Sequence, residues 1–336
     1  MSRKDFPRFP PLFTVYFARK VCYTSLREIR QADDLRVTGP SGKDDRMEAV
    51  KTDKLTKYYG RTRGIDGLDL TVEKGECFGF IGPNGAGKST TIRTLLGLLS
   101  PTSGSASVLG MNILRDKKEI LRRVGYLPSE TLFYPGMKVR DILRFSAGLR
   151  SADCSDAAAV LCERLQLDPS RRIDDLSFGN RKKVGIVCAL QSDPELLILD
   201  EPTGGLDPLI QKEFFDILSE RSRRGVTVFI SSHVLHEIQR NCTRAAVIRD
   251  GRVIACGRVD ELSKTSAKRI SFRGTVDLTG LEGIRDLNES GDGAGFLYNG
   301  AMDALLCRLA AGSVSDLNIS DPDLDEIFMH YYTKED

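Results

Sequence analysis

The nine residues GPNGAGKST at 82–90 follow the pattern G-x-x-x-x-G-K-[ST], a spacing suited to holding phosphate groups. Gly82, Gly85 and Gly87 let the backbone curl around Pro83, Asn84 and Ala86, so that its amides converge on anionic oxygens. Lys88 would reach the β and γ phosphates of a nucleotide, and Ser89 would offer its hydroxyl to Mg²⁺. Thr90 is a nearby phosphate donor. Further along, LLILDEP places Asp200 and Glu201 at the end of an apolar run. In phosphate-loop enzymes an aspartate at that point holds the Mg²⁺ shell, and a carboxylate beside it can polarise water for attack on the γ phosphate. The lesser alternative for the pair is a solvated strand end, which the phosphate loop upstream argues against. Between these two motifs lies LSFGN at 176–180, where Ser177 can cap a helix whose apolar side includes Val184, Val187 and Leu190. That makes it a second anion-binding turn. Lys182 and Lys183 just beyond it read as a solvated helix face.

These motifs need elements to hold them. ECFGFI (76–81) and ELLILD (195–200) are short apolar runs, as expected of strands buried on both faces of a parallel sheet. After the first, Ile92, Leu95, Leu96 and Leu99 recur at i, i+3, i+4 and i+7, which predicts a helix. Val139, Ile142 and Leu143, then Ala158, Leu161, Cys162 and Leu165, predict a helical insert between the strands. VTVFI (226–230) predicts another strand, and Asp250-Gly251 inside AAVIRDGRVIAC predicts a two-residue hairpin. Past about residue 264, KRISFRG alternates like a strand. Met302, Leu305, Leu306 and Leu309 form one helical stripe, and Leu324, Ile327, Phe328 and Tyr331 another that starts at Asp321-Pro322.

The chain of 336 residues carries 49 basic and 47 acidic residues, a net +2, so it lacks the positive field of a nucleic-acid binder. Its eight cysteines are scattered, with no Cys-x-x-Cys pair, and read as reduced thiols in a cytosolic protein. No apolar stretch approaches the roughly 18 residues of a membrane span. The first 46 residues differ in composition and end in the polar run TGPSGKDDR. They fit a secretory signal poorly, because no unbroken apolar core precedes a cleavage site. Leu12, Val15, Tyr16, Cys22, Leu26 and Ile29 could line a helix lying on a membrane or partner, but Arg19 interrupts the stripe. We read 1–46 as a disordered or non-native leader and Met47 as the start, since Gly42-Lys43-Asp44 can be encoded by a purine-rich ribosome-binding sequence.

The order GPNGAGKST, LSFGN, ILDEP, GLDP and SSH resembles the nucleotide-binding subunit of an ABC transporter over about residues 50–262. The resemblance implies an α/β P-loop NTPase fold of ABC type: a parallel-sheet core, an antiparallel β subdomain and a helical insert, here with a small C-terminal α+β domain. The divisions expected are 47–263 for the nucleotide-binding domain, with a helical subdomain at about 131–180, and 264–336 for the accessory domain. It implies ATP and Mg²⁺ as cofactors, a homodimer or a related ATPase subunit as partner, a separate membrane-spanning permease, and a place on the cytoplasmic face of the cell membrane.

Residue by residue, the family pattern implies that Tyr59 stacks on adenine. Ser177, Gly179 and Asn180 would grip the γ phosphate bound by the other copy, Asp207 would link the two sites, and His233 would contact the γ phosphate and attacking water. Two departures stand out. Phe178 and Asn180 replace glycine and glutamine in the signature, so Phe178 must find a pocket. In GYLPSE (125–130), Ser129 stands where a metal-touching glutamine is expected, reaching metal only through water, or with Glu130 as substitute. Lys182 and Lys183 could alternatively meet the permease or lipid headgroups. DPDLDEIFMHYY, together with the GYLPSE and LSFGN variants, further resembles subunits of bacterial drug and peptide-antibiotic exporters. The competing readings are a soluble member of the same superfamily acting in translation or DNA repair, and a phosphate-loop kinase. The first lacks its second cassette or its long insert, and the second would leave LSFGN and the histidine without purpose.

Overall fold

The computed structural model describes residues 48–150, 153–262 and 267–320. The expected leader at 1–46 and the helical stripe from Asp321 onward lie outside them.

The central sheet has six strands in the order β10-β9-β3-β8-β7-β6. These are β3 (Cys77–Ile81), β6 (Val124–Leu127), β7 (Leu196–Asp200), β8 (Thr227–Ser232), β9 (Arg244–Arg249) and β10 (Arg252–Arg258). All neighbours pair in parallel except β9 and β10. The antiparallel pair is the predicted hairpin, with Asp250 and Gly251 both at positive φ (48° and 79°) between Arg249 and Arg252. Strands β3, β7, β8 and β9 of this sheet are buried on both faces, and alternate residues serve different cores. Leu197, Leu199, Val228 and Ile230 join one cluster, and Leu196, Ile198 and Phe229 the other.

The second cluster is closed by an antiparallel sheet of order β2-β1-β4-β5, made of β1 (Glu48–Tyr59), β2 (Thr62–Glu73), β4 (Ser103–Val108) and β5 (Met111–Asn112). Two helices belong to this side, α1 (Lys88–Leu95) and α2 (Lys117–Arg123). Helix α1 is shorter than its apolar spacing predicts: Leu96 caps it, Gly97 turns at φ 64°, and Leu99 lies beyond. The first cluster is covered by the insert, α3 (Val139–Leu149) and α4 (Ser155–Arg164), and by α5 (Phe178–Leu190), α6 (Pro208–Arg223), α7 (Leu235–Asn241) and the short α8 (Val259–Leu262). Arg164 of α4 bridges to α6 by ion pairs to Glu213 (2.5 Å) and Glu220 (2.7 Å).

A third, antiparallel sheet of order β12-β13-β11-β14 contains β11 (Lys268–Thr275), β12 (Ile284–Ser290), β13 (Gly293–Tyr298) and β14 (Ser313–Ser320). With α9 (Met302–Ala311) it encloses its own core of Ile270, Phe272, Phe296, Tyr298, Leu305 and Leu309. Leu306, counted in the sequence stripe, points outward and is exposed. Among the described residues no helix is long and apolar enough to cross a membrane.

Candidate nucleotide site

The 82–87 loop joins the end of β3 to the start of α1, so its shape is set by a buried strand and a helix N-terminus. Gly85 and Gly87 sit at φ 84° and 108°, where a side chain would be strained. Gly82 and Gly87 also lack room: a Cβ at Gly82 would fall 2.3 Å from the Ile248 carbonyl oxygen, and one at Gly87 2.6 Å from that of Gly64. The β9–β10 turn braces the loop, since the Gly251 amide donates to Ala86 O at 2.9 Å. Ser89 and Thr90 are half-buried at the first turn of α1.

Lys88 is buried, and its ammonium donates to Gly82 O (2.5 Å) and Pro83 O (3.2 Å). It also lies 3.1 Å from Glu201 Oε1, an ion pair without the alignment of a hydrogen bond. The other carboxylate oxygen of Glu201, Oε2, is 2.7 Å from His233 Nδ1. Glu201 is thus held between a lysine and a histidine from three separate elements. Its backbone has φ 49°, left-handed for a non-glycine residue, and its amide donates to Ser231 O at 3.1 Å. Such strain persists only where surroundings impose it, and it concentrates at working sites. Asp200, beside it, is fully buried: Oδ1 accepts from Ser231 Oγ at 2.6 Å, whereas Oδ2 has no hydrogen-bond partner among the described residues. A buried carboxylate oxygen left this way is costly unless it meets a cation or donor.

Tyr59 ends β1 with its ring 46% exposed. A Cβ at Gly64 would lie 2.9 Å from the Tyr59 ring and 3.0 Å from the Thr90 methyl, so ring and phosphate loop flank one glycine. Lys57 Nζ stands 5.5 Å from the ring centroid.

The signature turn has different neighbours. Ser177 caps α5, its Oγ accepting from the Asn180 amide at 3.3 Å. Gly179 meets the segment before α6, where a Cβ would come 2.2 Å from Gly205 O. Phe178 does not enter a pocket: it lies over Gly205, 55% exposed. Gly205, at φ 79°, leaves room for the ring, since a Cβ there would fall 2.4 Å from Phe178 Cδ1. Asp207 caps α6, with Oδ1 accepting from the Ile210 amide at 3.1 Å and Pro208 at the first helical position. The structure therefore joins Lys88, Glu201 and His233 directly, sets Phe178 and Gly179 against Gly205, and uses Ser177 with Asn180 and Asp207 with Ile210 as helix caps.

Lys182 and Lys183 correct the sequence reading, for both are buried, Lys182 to 1% exposure. Helix α5 is covered on nearly every side, so it has no solvated face to give them. Lys182 Nζ donates to Ser129 O (2.9 Å) and Pro128 O (3.2 Å). Burial pushes its pKa down to about 8, while the charges of Asp200 and Glu201 favour the ammonium. Burial and the nearby Asp200 push the Tyr126 phenol up to about 12.

Glu237 is a further residue that the motifs do not reveal. Its carboxylate accepts from Thr203 Oγ1 (2.6 Å) and Ser232 Oγ (2.9 Å), joining the segment after Glu201 to the segment before His233. Glu237 lies in the first turn of α7, whereas His233 precedes that helix.

Comparison with known proteins agrees with this geometry. Residues 65–204 match the family model described as ABC transporter. The chain is 39% identical over 227 residues to the Bacitracin transport ATP-binding protein BcrA of Bacillus licheniformis, covering 67% of this chain and 74% of that protein. It is 32% identical over 289 residues to the uncharacterized ABC transporter ATP-binding protein YhaQ of Bacillus subtilis (strain 168), covering 82% and 96%. A solved structure of an ATP-binding subunit of an ABC transporter superposes with a TM-score of 0.61 at 29% identity, over 64% of this chain and 92% of that one. With the phosphate loop, its paired carboxylates and relatives matched over most of their length, the chain belongs to the ATP-binding subunits of ABC transporters, the ATPases that energise a transport permease.

Proposed function

We propose that this subunit binds ATP between two copies of the cassette and that Glu201 is the base that activates water. The observation carrying the reading is the Glu201 carboxylate, fixed in a strained backbone and bridged by Lys88 at 3.1 Å and His233 at 2.7 Å. A phosphate that takes the Lys88 ammonium releases Glu201 Oε1 to accept a proton from water, while His233 keeps Oε2 in place. The main-chain amides of 82–90, with Lys88, Ser89 and Thr90, would receive the phosphates, and Tyr59 the adenine. The residues present also fit Mg²⁺. Asp200, through its unpaired Oδ2, and Ser89 would hold it, and Ser129 is at most a water-mediated contact. When bound, the ion would offset negative charge on the phosphates.

Gly179 packs against Gly205 and Ser177 caps α5 through the Asn180 amide, and this turn would serve the nucleotide of a second copy or a related ATPase subunit. Asp207, two residues after Gly205 and the cap of α6, would link the two sites. The partner permease would be of the drug or peptide-antibiotic export type, by likeness to the bacitracin transport protein. It would dock on the α3–α4 insert, placing the subunit on the cytoplasmic face of the membrane. The sheet of β11–β14 with α9 would be an accessory domain, since it has its own core.

Glu201→Gln tests the reading. It should bind ATP, slow turnover about 100- to 10,000-fold, and accumulate as an ATP-bound dimer by light scattering. Turnover at the wild-type rate would assign the base to another residue.

A further inference from the structure

The stretch from β6 to Thr131 runs along one face of α5 in close contact. A Cβ at Gly125 would fall 2.3 Å from Ala189 O. A Cβ at Gly185 would fall 2.5 Å from Thr131 Cγ2 and 2.8 Å from Leu127 Cδ1. Nearest the start of the helix, Lys182 donates to the carbonyls of Pro128 and Ser129. Positions 182, 185 and 189 are spaced i, i+3 and i+7, so they share one helical face. Glycines at 125 and 185 bring the main chains close enough for a lysine stem to reach the loop. Lys182 also lies five residues, about one and a half turns, after the capping Ser177.

A buried ammonium demands acceptors, and here they are main-chain carbonyls of the very loop in which serine stands at the expected glutamine position. A tie to main chain does not depend on which side chain occupies position 129.

We propose that Lys182 is a positioning residue that fastens the Pro128–Ser129 loop to the N-terminal half of α5, so that loop and signature turn move as one piece. This rests on reading the site as an ATP-hydrolysing centre. Lys182 touches neither nucleotide nor water in this scheme. It acts by aligning Ser177–Asn180 with the loop that leads into the α3–α4 insert. A load applied to the insert would then reach the signature turn through an ammonium bridge to main chain.

Steady-state hydrolysis and equilibrium ATP binding by the full chain decide the matter. Lys182→Met fills the space without donors and should lower kcat on the order of 100-fold, as misplacement by about 1 Å can, with the ATP Kd unchanged. Lys182→Gln keeps amide donors and should stand closer to wild type than the methionine variant. Gly185→Ala crowds the same loop without touching the ammonium and should reproduce the split between kcat and Kd. That variant keeps the question decidable if Lys182→Met does not fold. Wild-type kcat in both Lys182→Met and Gly185→Ala would overturn the proposal, as would equal losses in the methionine and glutamine variants. A fall in kcat matched by an equal loss of ATP affinity would mean a purely structural lysine. Glu201→Gln is run alongside: if it hydrolyses ATP normally, the underlying reading of the site has failed and not the tie.

Discussion

Glu237 shows how a residue outside the reacting group can set its geometry. Its two carboxylate oxygens receive one hydroxyl from Thr203 and one from Ser232, so the chain leaving Glu201 and the chain entering His233 share one anchor. Ser232 Oγ in turn accepts the Val234 amide at 2.9 Å, which fixes the turn that carries His233. Removing the carboxylate leaves two hydroxyls without an acceptor, a loss of about 1–3 kcal/mol where such groups are buried. Glu237→Ala should therefore slow single-turnover hydrolysis while ATP affinity, measured separately, holds. Equal losses in both would mean the network serves folding alone. Lys88, Asp200 and Glu201 stood out in the sequence because each sits in a short motif whose spacing suits phosphate chemistry, whereas His233 stood out only through the order of the motifs. Glu237 was not, because its partners come from separate strands and loops that only the fold brings together.

At the scale of elements, helix starts do double duty. Ser177 opens α5 and Asp207 opens α6, each capping its helix within a turn that the family pattern assigns to the nucleotide. Asp207→Ala removes an N-cap and should cost about 1 kcal/mol, lowering Tm by roughly 2–4 °C for a domain of this size. Asp207→Asn keeps an acceptor, so its melting curve should overlay the wild type, and any remaining loss of activity would report the link between sites. Differential scanning fluorimetry separates the two. The strands were legible for a simple reason: CFGFI and LLILD are apolar throughout, as burial on both faces demands. Helix α5 was harder, because a helix covered almost all round has no period to read, and Lys182 looked like any surface lysine. The end of α1 was misjudged because Leu99 continued the spacing past Gly97, whose positive φ stops the helix. Phe178 was expected in a pocket because an aromatic side chain usually finds one, yet it lies on glycine backbone.

For the whole molecule, the proposed sharing of each nucleotide between two chains makes complementation the sharpest test. A Lys88→Ala chain keeps its signature turn, and a Ser177→Arg chain keeps its phosphate loop. Each alone should be inactive. Mixed, they can form one intact composite site, and ATP hydrolysis should partly return. If hydrolysis stays absent in mixtures shown by native mass spectrometry to contain the heterodimer, the cross-subunit arrangement is wrong or one site cannot work alone. The three apolar clusters were only partly foreseeable at this scale. Sequence spacing located strands and helices, but the assignment of alternate β7 and β8 residues to opposite cores depends on which layer lies above and below. Glu201 leaves one more mark on the whole molecule. Its left-handed backbone costs a non-glycine residue about 1–2 kcal/mol, so glycine at 201 would relax the chain while discarding its carboxylate. Durability and turnover are set against each other at a single torsion, and laboratory evolution that rewarded heat resistance alone would drift toward hardy, silent variants.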